Sequence, residues 1–327
     1  MPKAIFVSSH GGPEVLEARE HDPGEPQANH VRVRVEAAGV NFIDTYLRSG
    51  AYKGKPPFAL GLEGAGTIER VGEGVGDFKV GQRVAWAQVP ASYAEVVNAP
   101  VHSLVAVPDE VTTEVAAAAM LQGMTADYLV YGVRETEPGD VALVHAAAGG
   151  TGQLLVQLLK HAGARVIGTC SSEEKAKLAR EAGADEVILY TQQDFAAEAR
   201  RLTEGRGVDV VYDSVGQSTF DGSLKALRPR GLLVLFGQSS GAVPPVDLQR
   251  LNQHGSLFVT RPSLAHYVAT REELAMRASA VLTAVGLGEL KVRIDAKFAL
   301  SEAAEAHRHL EARRTRGKVL LLPAGKV

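Results

Sequence analysis

The stretch VALVHAAAGGTG, residues 141–152, joins an apolar run of strand length to a turn made of small residues and three glycines. Leucines recur on one side of the helix predicted for residues 152–161, so the glycines stand between a strand and a helix. In the Gly-x-Gly-x-x-Gly fingerprint of dinucleotide sites, Ala147 takes the first place, and Gly149 and Gly152 take the other two. Such a turn lets a pyrophosphate approach the backbone N–H groups of the helix N-terminus. The stretch therefore predicts a dinucleotide-binding turn; a tight turn without a ligand is the alternative.

Strands and helices alternate downstream of this turn. Apolar runs typical of buried strands occur at residues 165–168, 186–188, 208–212 and 232–236, and a helical pattern spans residues 173–181. Alternation of this kind indicates a parallel sheet with helices on both faces. We therefore expect a doubly wound domain of α/β class over residues 123–262.

The regions before and after this domain show a different pattern of predicted strands and helices. Residues 1–122 are mostly β-like, with strict alternation at residues 31–35 and an alanine-rich helix from residue 113 to about residue 130. Beyond residue 262 the pattern is mixed: it predicts helices at residues 271–285 and 301–311 and strands at residues 292–294 and 319–322. The two flanks, 1–122 and 263–327, are expected to form one domain into which the doubly wound domain is inserted.

The end of the second predicted strand favours NADP over NAD. An NAD site usually places an acidic residue there, but here the chain reads Thr169-Cys170-Ser171-Ser172, and Lys175 follows. Hydroxyl groups and a nearby ammonium suit a 2′-phosphate, which a carboxylate would repel. The alternative is that Ser171-x-x-Glu174 is a capping box and that Lys175 is solvated.

Composition excludes several classes of protein. The 327 residues carry 35 Lys+Arg and 38 Asp+Glu, a net charge of −3, which argues against binding nucleic acid through phosphate neutralisation. A single cysteine, Cys170, excludes an internal disulfide and a cysteine-rich zinc lobe. The longest apolar run, residues 115–121, is too short to span a bilayer, and no targeting segment is recognisable. We expect a soluble, cytoplasmic protein.

Several motifs in order along the chain resemble known families. AAGVNFIDTY (37–46), GLEGAG (61–66) and GDFKVGQRV (76–84) look like the medium-chain dehydrogenase/reductase superfamily. More narrowly, the blocks at 145–152, 211–216, 236–241 and 259–263 resemble the NADPH:quinone oxidoreductases related to ζ-crystallin. The resemblance covers essentially the whole chain. It implies a GroES-like catalytic domain, a Rossmann-type cofactor domain, an active-site cleft between them, and a homodimer that pairs through an edge strand near residues 232–236.

Zinc is not expected. The zinc alcohol dehydrogenases of this superfamily have Cys where this sequence has Asn41, and Gly-His-Glu where it has Gly61-Leu62-Glu63. Both departures remove a ligand, and Glu63 alone does not make a zinc site. Without the metal, the Lewis-acid route between alcohol and carbonyl is disfavoured.

The resemblance also implies site residues. The catalytic residues would be Asn41, Asp44, Tyr46 and Tyr52, which orient the nicotinamide or the substrate carbonyl by hydrogen bonds. From the residues alone, Asp44 could instead cap a helix that starts after Asn41. Residues implied to bind the cofactor are Asn41, Phe42, Tyr46, Tyr128, Gly149, Gly150, Thr151, Gly152, Ser171, Lys175, Tyr190, Val215, Gly216, Phe236, Gly237, Ser239, Ser240, Pro262, Ser263 and, at the 2′-phosphate, Arg313.

The function implied is NADPH-dependent, zinc-independent reduction of quinones, either by single electrons to the semiquinone or by hydride transfer to the hydroquinone. Two alternatives remain open at this point. Zinc-free relatives include NADPH-dependent enone and alkenal reductases, and relatives of ζ-crystallin include non-catalytic proteins that bind NADPH or RNA.

Overall fold

The computed structural model describes residues 1–323, and the chain divides into two compact units. One unit contains Met1–Met124 and the chain from Val268 onward, and the other contains Thr125–Tyr267. The boundaries predicted from the sequence are at residues 122 and 262, and those of the structure lie two and five residues further along. We refer to the two as the discontinuous unit and the contiguous unit.

The first segment of the discontinuous unit is rich in strands because apolar residues alternate along it. On the long strand β3, Val31, Val33 and Val35 are buried while the residues between them face outward. This alternation fits a sheet with one face on a core. The elements of the segment are β1 (Lys3–Val7), β2 (Leu16–Glu20), β3 (His30–Val40), α1 (Phe42–Ser49), β4 (Phe58–Ala59), β5 (Glu63–Val71), β6 (Arg83–Trp86), β7 (Val96–Pro100) and β8 (Val105–Ala106). Helix α2 (Thr113–Tyr131) begins in this segment and continues past Met124 into the contiguous unit.

The contiguous unit is the predicted doubly wound domain. Its strands are β9 (Val141–Val144), β10 (Arg165–Cys170), β11 (Glu186–Leu189), β12 (Val208–Asp213), β13 (Leu227–Leu235) and β14 (Phe258–Thr260). They form a parallel sheet in the order β11-β10-β9-β12-β13-β14, so every strand ends at the same edge. The helices are α3 (Gly150–His161), α4 (Glu173–Glu181), α5 (Phe195–Leu202), α6 (Phe220–Ala226), α7 (Gln249–Gln253) and α8 (Leu264–Tyr267).

One expectation about this sheet is wrong. The strand near residues 232–236 does not lie at an edge, because β13 pairs on one side with β12 and on the other with β14. The edge strand is β14, which has only three residues and exposes Phe258 and Val259. So short a run gives too weak a pattern to be recognised as a strand from the sequence.

The return of the chain completes the discontinuous unit with α9 (Arg271–Gly286), β15 (Ile294–Ala299), α10 (Ala303–Glu311) and β16 (Lys318–Leu322). The seven-stranded sheet has the path β15-β16-β3-β5-β6-β8, and β7 also pairs with β3. A smaller sheet has the order β2-β1-β4. The strand predicted at residues 292–294 lies further along, at Ile294–Ala299. The helix predicted from residue 301 begins at Ala303, because a 3-10 turn at Leu300–Glu302 precedes it.

No helix within residues 1–323 is both long enough and apolar enough to cross a membrane.

Candidate active site

The N-terminus of α1 carries the first group of predicted catalytic residues. Asn41 occupies the N-cap position, and Oδ2 of Asp44 accepts a hydrogen bond from the Asn41 backbone N–H at 2.8 Å. This is one half of a capping box, as the alternative role for Asp44 predicted. No side-chain hydrogen bond from Asn41 caps α1; the Asp44 N–H donates instead to the Asn41 backbone carbonyl, at 3.1 Å. An unused asparagine cap forgoes about 1 kcal/mol of helix stability, so its amide serves another purpose.

That amide contacts two charged side chains at the ends of three neighbouring strands. Strand β3 lies between β5 and β16 in the sheet, which brings Asn41 beside Glu63 at the start of β5 and Lys318 at the start of β16. Nδ2 of Asn41 donates to Oε2 of Glu63 at 2.7 Å, and Nζ of Lys318 donates to Oδ1 of Asn41 at 2.7 Å. Lys318 and Glu63 form an ion pair at 2.5 Å, and both side chains are fully buried. We call these three residues the buried triad.

The hydrogen bonds of the buried triad limit what Asn41 can offer a ligand. Its Nδ2 has two hydrogens; one is donated to Glu63 and the other to the carbonyl oxygen of Gly39 at 3.3 Å. Its Oδ1 has two lone pairs, of which Lys318 takes one. The Asn41 side chain can therefore accept one further hydrogen bond, but it has no hydrogen left for a substrate carbonyl.

The buried triad does not fit a zinc ion. Its carboxylate is already paired with an ammonium group, and its third member is a neutral amide. Zinc sites use thiolates, imidazoles and carboxylates, which a buried cation would oppose. Elsewhere in residues 1–323, no group of three His, Cys, Asp or Glu side chains is arranged to hold a metal ion.

A second buried chain of hydrogen bonds leads away from Asp44. The Arg48 guanidinium can only donate, so Nδ1 of His307, at 2.9 Å, must accept. The proton of His307 then sits on Nε2, which lies 3.3 Å from the hydroxyl of Tyr93, and Tyr93 donates to Oδ2 of Asp44 at 2.8 Å. Arg48 is anchored in turn by Glu311 at 2.6 Å. In this series of hydrogen bonds, each donor therefore points along the path from Arg48 toward Asp44.

Burial is the main cause of the shifted pKa values of Asp44 and His307. It raises the pKa of Asp44 to about 7, against the opposing effects of the hydrogen bonds from Asn41 and Tyr93. Within residues 1–323, Oδ1 of Asp44 has no hydrogen-bond partner. Burial, and then the charge of Arg48, lower the pKa of His307 to about 3. The side chain of Asp44 is completely buried, and its predicted contact with nicotinamide or substrate stays a prediction.

The outer side of α1 is aromatic. Phe42 and Tyr46, four residues apart on the helix, have ring centroids 6.2 Å apart, and those of Tyr46 and Tyr52 are 5.2 Å apart. All three rings are half-buried. They give this part of the unit a surface suited to a flat, conjugated ring.

In the contiguous unit, the predicted cofactor residues gather at one edge of the sheet. Each lies in the segment that follows one of the six parallel strands, and ligands of open α/β sheets bind outside these carboxyl ends. The residues concerned are Gly149, Gly150, Thr151 and Gly152 after β9, Ser171 and Lys175 after β10, Tyr190 after β11, Val215 and Gly216 after β12, Phe236, Gly237, Ser239 and Ser240 after β13, and Pro262 and Ser263 after β14.

The glycine turn fits a dinucleotide pyrophosphate. Helix α3 begins at Gly150, and no side chain of the described residues caps it, so its first N–H groups remain available to an anion. A Cβ built on Gly149 would meet only the Ala146 carbonyl within 4 Å, which leaves the turn open on that side. A Cβ on Gly152 would lie 2.3 Å from the same carbonyl, so that glycine is required for packing the helix on the turn.

The segment after β10 differs from the predicted capping box by one residue. The N-cap of α4 is Ser172, whose Oγ accepts from the Lys175 N–H at 3.4 Å; Ser171 is not the cap. The capping-box pattern fits Ser171 with Glu174 but not Ser172, which is followed three residues later by Lys175, so the pattern favoured the wrong serine. The Ser171 hydroxyl is therefore not needed to cap the helix, and Lys175 stands in its first turn.

The loops after β12 and β13 are joined to each other. Oδ1 of Asp213 accepts from the N–H groups of Val215 at 2.8 Å and Gly216 at 3.0 Å, which fixes the first loop. The Ser240 hydroxyl donates to the Val215 carbonyl at 2.7 Å and accepts from the Ser218 N–H at 3.0 Å. These two hydrogen bonds of the Ser240 hydroxyl tie the two loops together, and the predicted contact of Ser240 with the cofactor stays a prediction.

A buried polar row supports three of these strand ends. Oγ1 of Thr169 lies 3.0 Å from Nδ1 of His145, Nε2 of His145 lies 3.0 Å from the Ser223 hydroxyl, and Ser223 donates to Oδ2 of Asp213 at 3.0 Å. All four side chains are buried. Sequence reasoning missed Asp213 and His145 as supports, as it missed Lys318 in the buried triad. The available signal was a charged or polar residue at the end of an apolar run.

Five predicted cofactor residues lie outside these loops, and two of them, Asn41 and Phe42, stand with Tyr46 at the start of α1. Tyr128, on α2, is buried, and its ring stacks on that of Tyr267 at 4.4 Å. Arg313 follows α10 in an exposed, left-handed conformation with φ 56°. Tyr46 belongs to the aromatic surface of α1. Their contacts with a cofactor remain predictions.

The chain is similar to characterised proteins over its full length. Residues 27–136 match the family described as alcohol dehydrogenase GroES-like domain, and residues 150–279 match zinc-binding dehydrogenase. The chain is 48% identical over 325 residues to a quinone oxidoreductase of Pseudomonas aeruginosa, covering 99% of this chain and 100% of that one. It is 42% identical over 331 residues to a 2-haloacrylate reductase of Burkholderia sp., covering 99% of each. The crystal structure of Escherichia coli quinone oxidoreductase complexed with NADPH matches with a TM-score of 0.96 and 44% identity, covering 98% of this chain and 100% of that one.

Proposed function

This chain belongs to the quinone oxidoreductase family of the medium-chain dehydrogenases/reductases, and we propose that it reduces quinones with NADPH as the cofactor. The observation that carries the proposal is the full-length match to quinone oxidoreductases, one of them solved with NADPH. The open turn before α3 supports it, because the residues present suit the pyrophosphate of that cofactor.

In the contiguous unit, Gly150 and Thr151 would donate backbone N–H groups to the pyrophosphate, and Ser171 and Lys175 would bind the 2′-phosphate. Bound NADPH supplies the reducing equivalents of the reaction. In the discontinuous unit, the rings of Phe42, Tyr46 and Tyr52 would hold a flat substrate and exclude water from it. Asp44 would keep Asn41 and the start of α1 in place.

We propose that the reaction does not use zinc. Because Lys318 already neutralises Glu63, a Zn²⁺ ion at the buried triad would add a second positive charge beside an ammonium group. Metal analysis of the purified protein tests this; one zinc per chain would contradict it.

The test of function is oxidation of NADPH, and separately of NADH, with a polycyclic quinone and with a simple conjugated enone. Rapid turnover with NADPH and the quinone is the expected result. The second candidate, reduction of an activated alkene, is favoured by the similarity to a 2-haloacrylate reductase, and turnover with the enone alone would select it. Tight NADPH binding without turnover would favour a non-catalytic role, for which a salt-dependent RNA gel shift is the further test.

We also propose a cytoplasmic homodimer. Strand β14 is an edge of the described parallel sheet, and its Phe258 and Val259 side chains are 63% and 39% exposed. An exposed apolar edge strand is suited to pairing with a second copy. Light scattering should give twice the chain mass, and Val259→Lys should reduce it to one chain; a wild-type monomer would contradict the proposal.

A further inference from the structure

We propose that Lys318 and Glu63 are positioning residues of the reaction: they fix the Asn41 amide so that it presents a hydrogen-bond acceptor, and no donor, to the bound cofactor. The inference rests on the proposed function. It assigns a role to two residues that touch neither cofactor nor substrate in that proposal.

The orientation of the Asn41 amide follows mainly from its charged neighbours; the longer hydrogen bond from Nδ2 to the Gly39 carbonyl, at 3.3 Å, favours the same orientation. The Lys318 ammonium can only donate, and the ionised Glu63 carboxylate can only accept. Turning the amide over would place its NH₂ group 2.7 Å from the ammonium and its oxygen 2.7 Å from the carboxylate. Both contacts would be repulsive, so one orientation is selected. Glu63 is itself held in place, because its Oε1 accepts the Leu121 N–H at 2.6 Å.

Stability alone gives little reason for this arrangement. Replacing a buried ion pair with apolar residues of similar volume is often neutral or stabilising, so the pair is weak evidence for a stabilising role. The sheet is also built closely around it: a Cβ on Gly39 would lie 2.2 Å from Oε2 of Glu63 and 2.8 Å from Cε of Lys318. Asn41, meanwhile, does not cap its helix. These features point to control of the amide.

The fixed amide restricts the chemistry of its ligand. A single remaining lone pair on Oδ1 requires a partner with a hydrogen to donate. The carboxamide of nicotinamide has such N–H groups, whereas the carbonyl of a quinone or an enone has none. We therefore assign Asn41 to the nicotinamide carboxamide rather than to the substrate.

The test compares binding of NADP⁺ with binding of its 3-acetylpyridine analogue, in which a methyl ketone replaces the carboxamide. Isothermal titration calorimetry on the full chain measures both Kd values, and the Kd ratio is defined as the Kd of the analogue divided by the Kd of NADP⁺. Wild-type protein should bind NADP⁺ about tenfold more tightly, which is the effect of one hydrogen bond.

The decisive variant is the pair Glu63→Gln with Lys318→Met, which leaves no unpaired charge. The oxygen of the introduced glutamine side chain would keep the Leu121 N–H, and its NH₂ group would turn toward Asn41. This change favours an inward-facing Asn41 oxygen, and only the longer contact of Nδ2 with the Gly39 carbonyl opposes it. The Kd of the analogue divided by the Kd of NADP⁺ should then fall from about 10 toward 1, since the amide is no longer held with its acceptor toward the ligand. Lys297→Met, which removes an exposed lysine paired with Glu114, is the matched control and should keep the wild-type ratio.

Two results would overturn the inference. One is a wild-type ratio near 1 in a protein that turns over quinone, which leaves the proposed function intact. The other is an unchanged ratio in the folded double variant. A wild-type protein that binds neither dinucleotide would overturn the proposed function as well, so the two failures are distinguishable.

Discussion

The two units hold their site residues by different means. In the contiguous unit, loops at the ends of six parallel strands carry the predicted cofactor residues, and neutral groups and one carboxylate of that unit, Asp213, fix the loops. In the discontinuous unit, the position of Asn41 depends on buried charges from distant parts of the chain: Lys318 lies 277 residues from Asn41 and 255 from Glu63. The predicted cofactor residues of the contiguous unit are therefore fixed by contacts within one continuous stretch of chain, whereas Asn41 is fixed by contacts between segments much further apart in sequence.

This difference predicts different sensitivities. A substitution in the contiguous unit should affect mainly the ligand or the backbone turn that it alters. A substitution in the buried triad should affect stability and ligand recognition together, because the charges of Lys318 and Glu63 neutralise each other in a fully buried position.

The largest effect should come from Lys318→Met as a single change. It leaves the Glu63 carboxylate buried without a cation, and we expect the free energy of unfolding to fall by about 3–5 kcal/mol. Chemical denaturation measures it. Adding Glu63→Gln should recover much of the loss, whereas a double variant no more stable than the single one would contradict the assignment. Lys297→Met, at an exposed pair, should cost about 1 kcal/mol or less.

The pH dependence of stability should distinguish Asp44 from His307. The folded pKa of Asp44, about 7, lies above its ordinary 3.8, so the folded state holds a proton between those values and this contribution to stability falls as pH rises. The folded pKa of His307, about 3, lies below its ordinary 6.5, so its contribution falls as pH decreases through that range. The two slopes oppose each other between about pH 4 and 6.5.

Asp44→Asn should therefore lose stability relative to wild type on acidification, by up to about 1.4 kcal/mol per pH unit between pH 7 and 4. His307→Gln should gain relative to wild type over the same range. Urea denaturation at several pH values measures both. Parallel profiles for Asp44→Asn and wild type would show that Asp44 is ionised throughout.

Gly152→Val should disturb both the fold and the cofactor site of the contiguous unit. The new Cβ would clash with the Ala146 carbonyl, and overpacking of this kind costs about 1–3 kcal/mol. Gly149→Ala is the comparison, because a Cβ there meets only that carbonyl, at 3.2 Å. It should leave the melting temperature nearly unchanged while weakening NADPH binding in calorimetry; unchanged affinity would contradict a pyrophosphate at this turn.

The smallest effect concerns the choice between NADPH and NADH. Lys175→Glu should weaken NADPH by about tenfold or more with little change for NADH, since a carboxylate would oppose the 2′-phosphate. Lys177→Glu, on the same helix, serves as the control for added negative charge. An equal loss of both cofactors would show that Lys175 does not contact that phosphate.

The sequence was most informative where function follows a local motif. The strand, glycine turn and helix at residues 141–161 were recognisable because all their determinants are adjacent, and the NADP preference followed from the residues after β10. Nothing local marks the ion pair of Glu63 with Lys318, which forms only when β16 pairs with β3. The strand β14 is only three residues long, so its sequence pattern is too short to be recognised. The N-cap of α4 differs from the predicted one by a single residue, Ser172 in place of Ser171.

The position of Lys318 also bears on biosynthesis. Glu63 leaves the ribosome 255 residues before Lys318, an interval of roughly 10–50 s at 5–20 residues per second. The contiguous unit can complete its own core during that interval. Strands β3 and β5 must wait for β16, with an acidic side chain that cannot yet be buried without its cation. The predicted catalytic residue Asn41 therefore gains the last of its side-chain partners only after β16 has been synthesised.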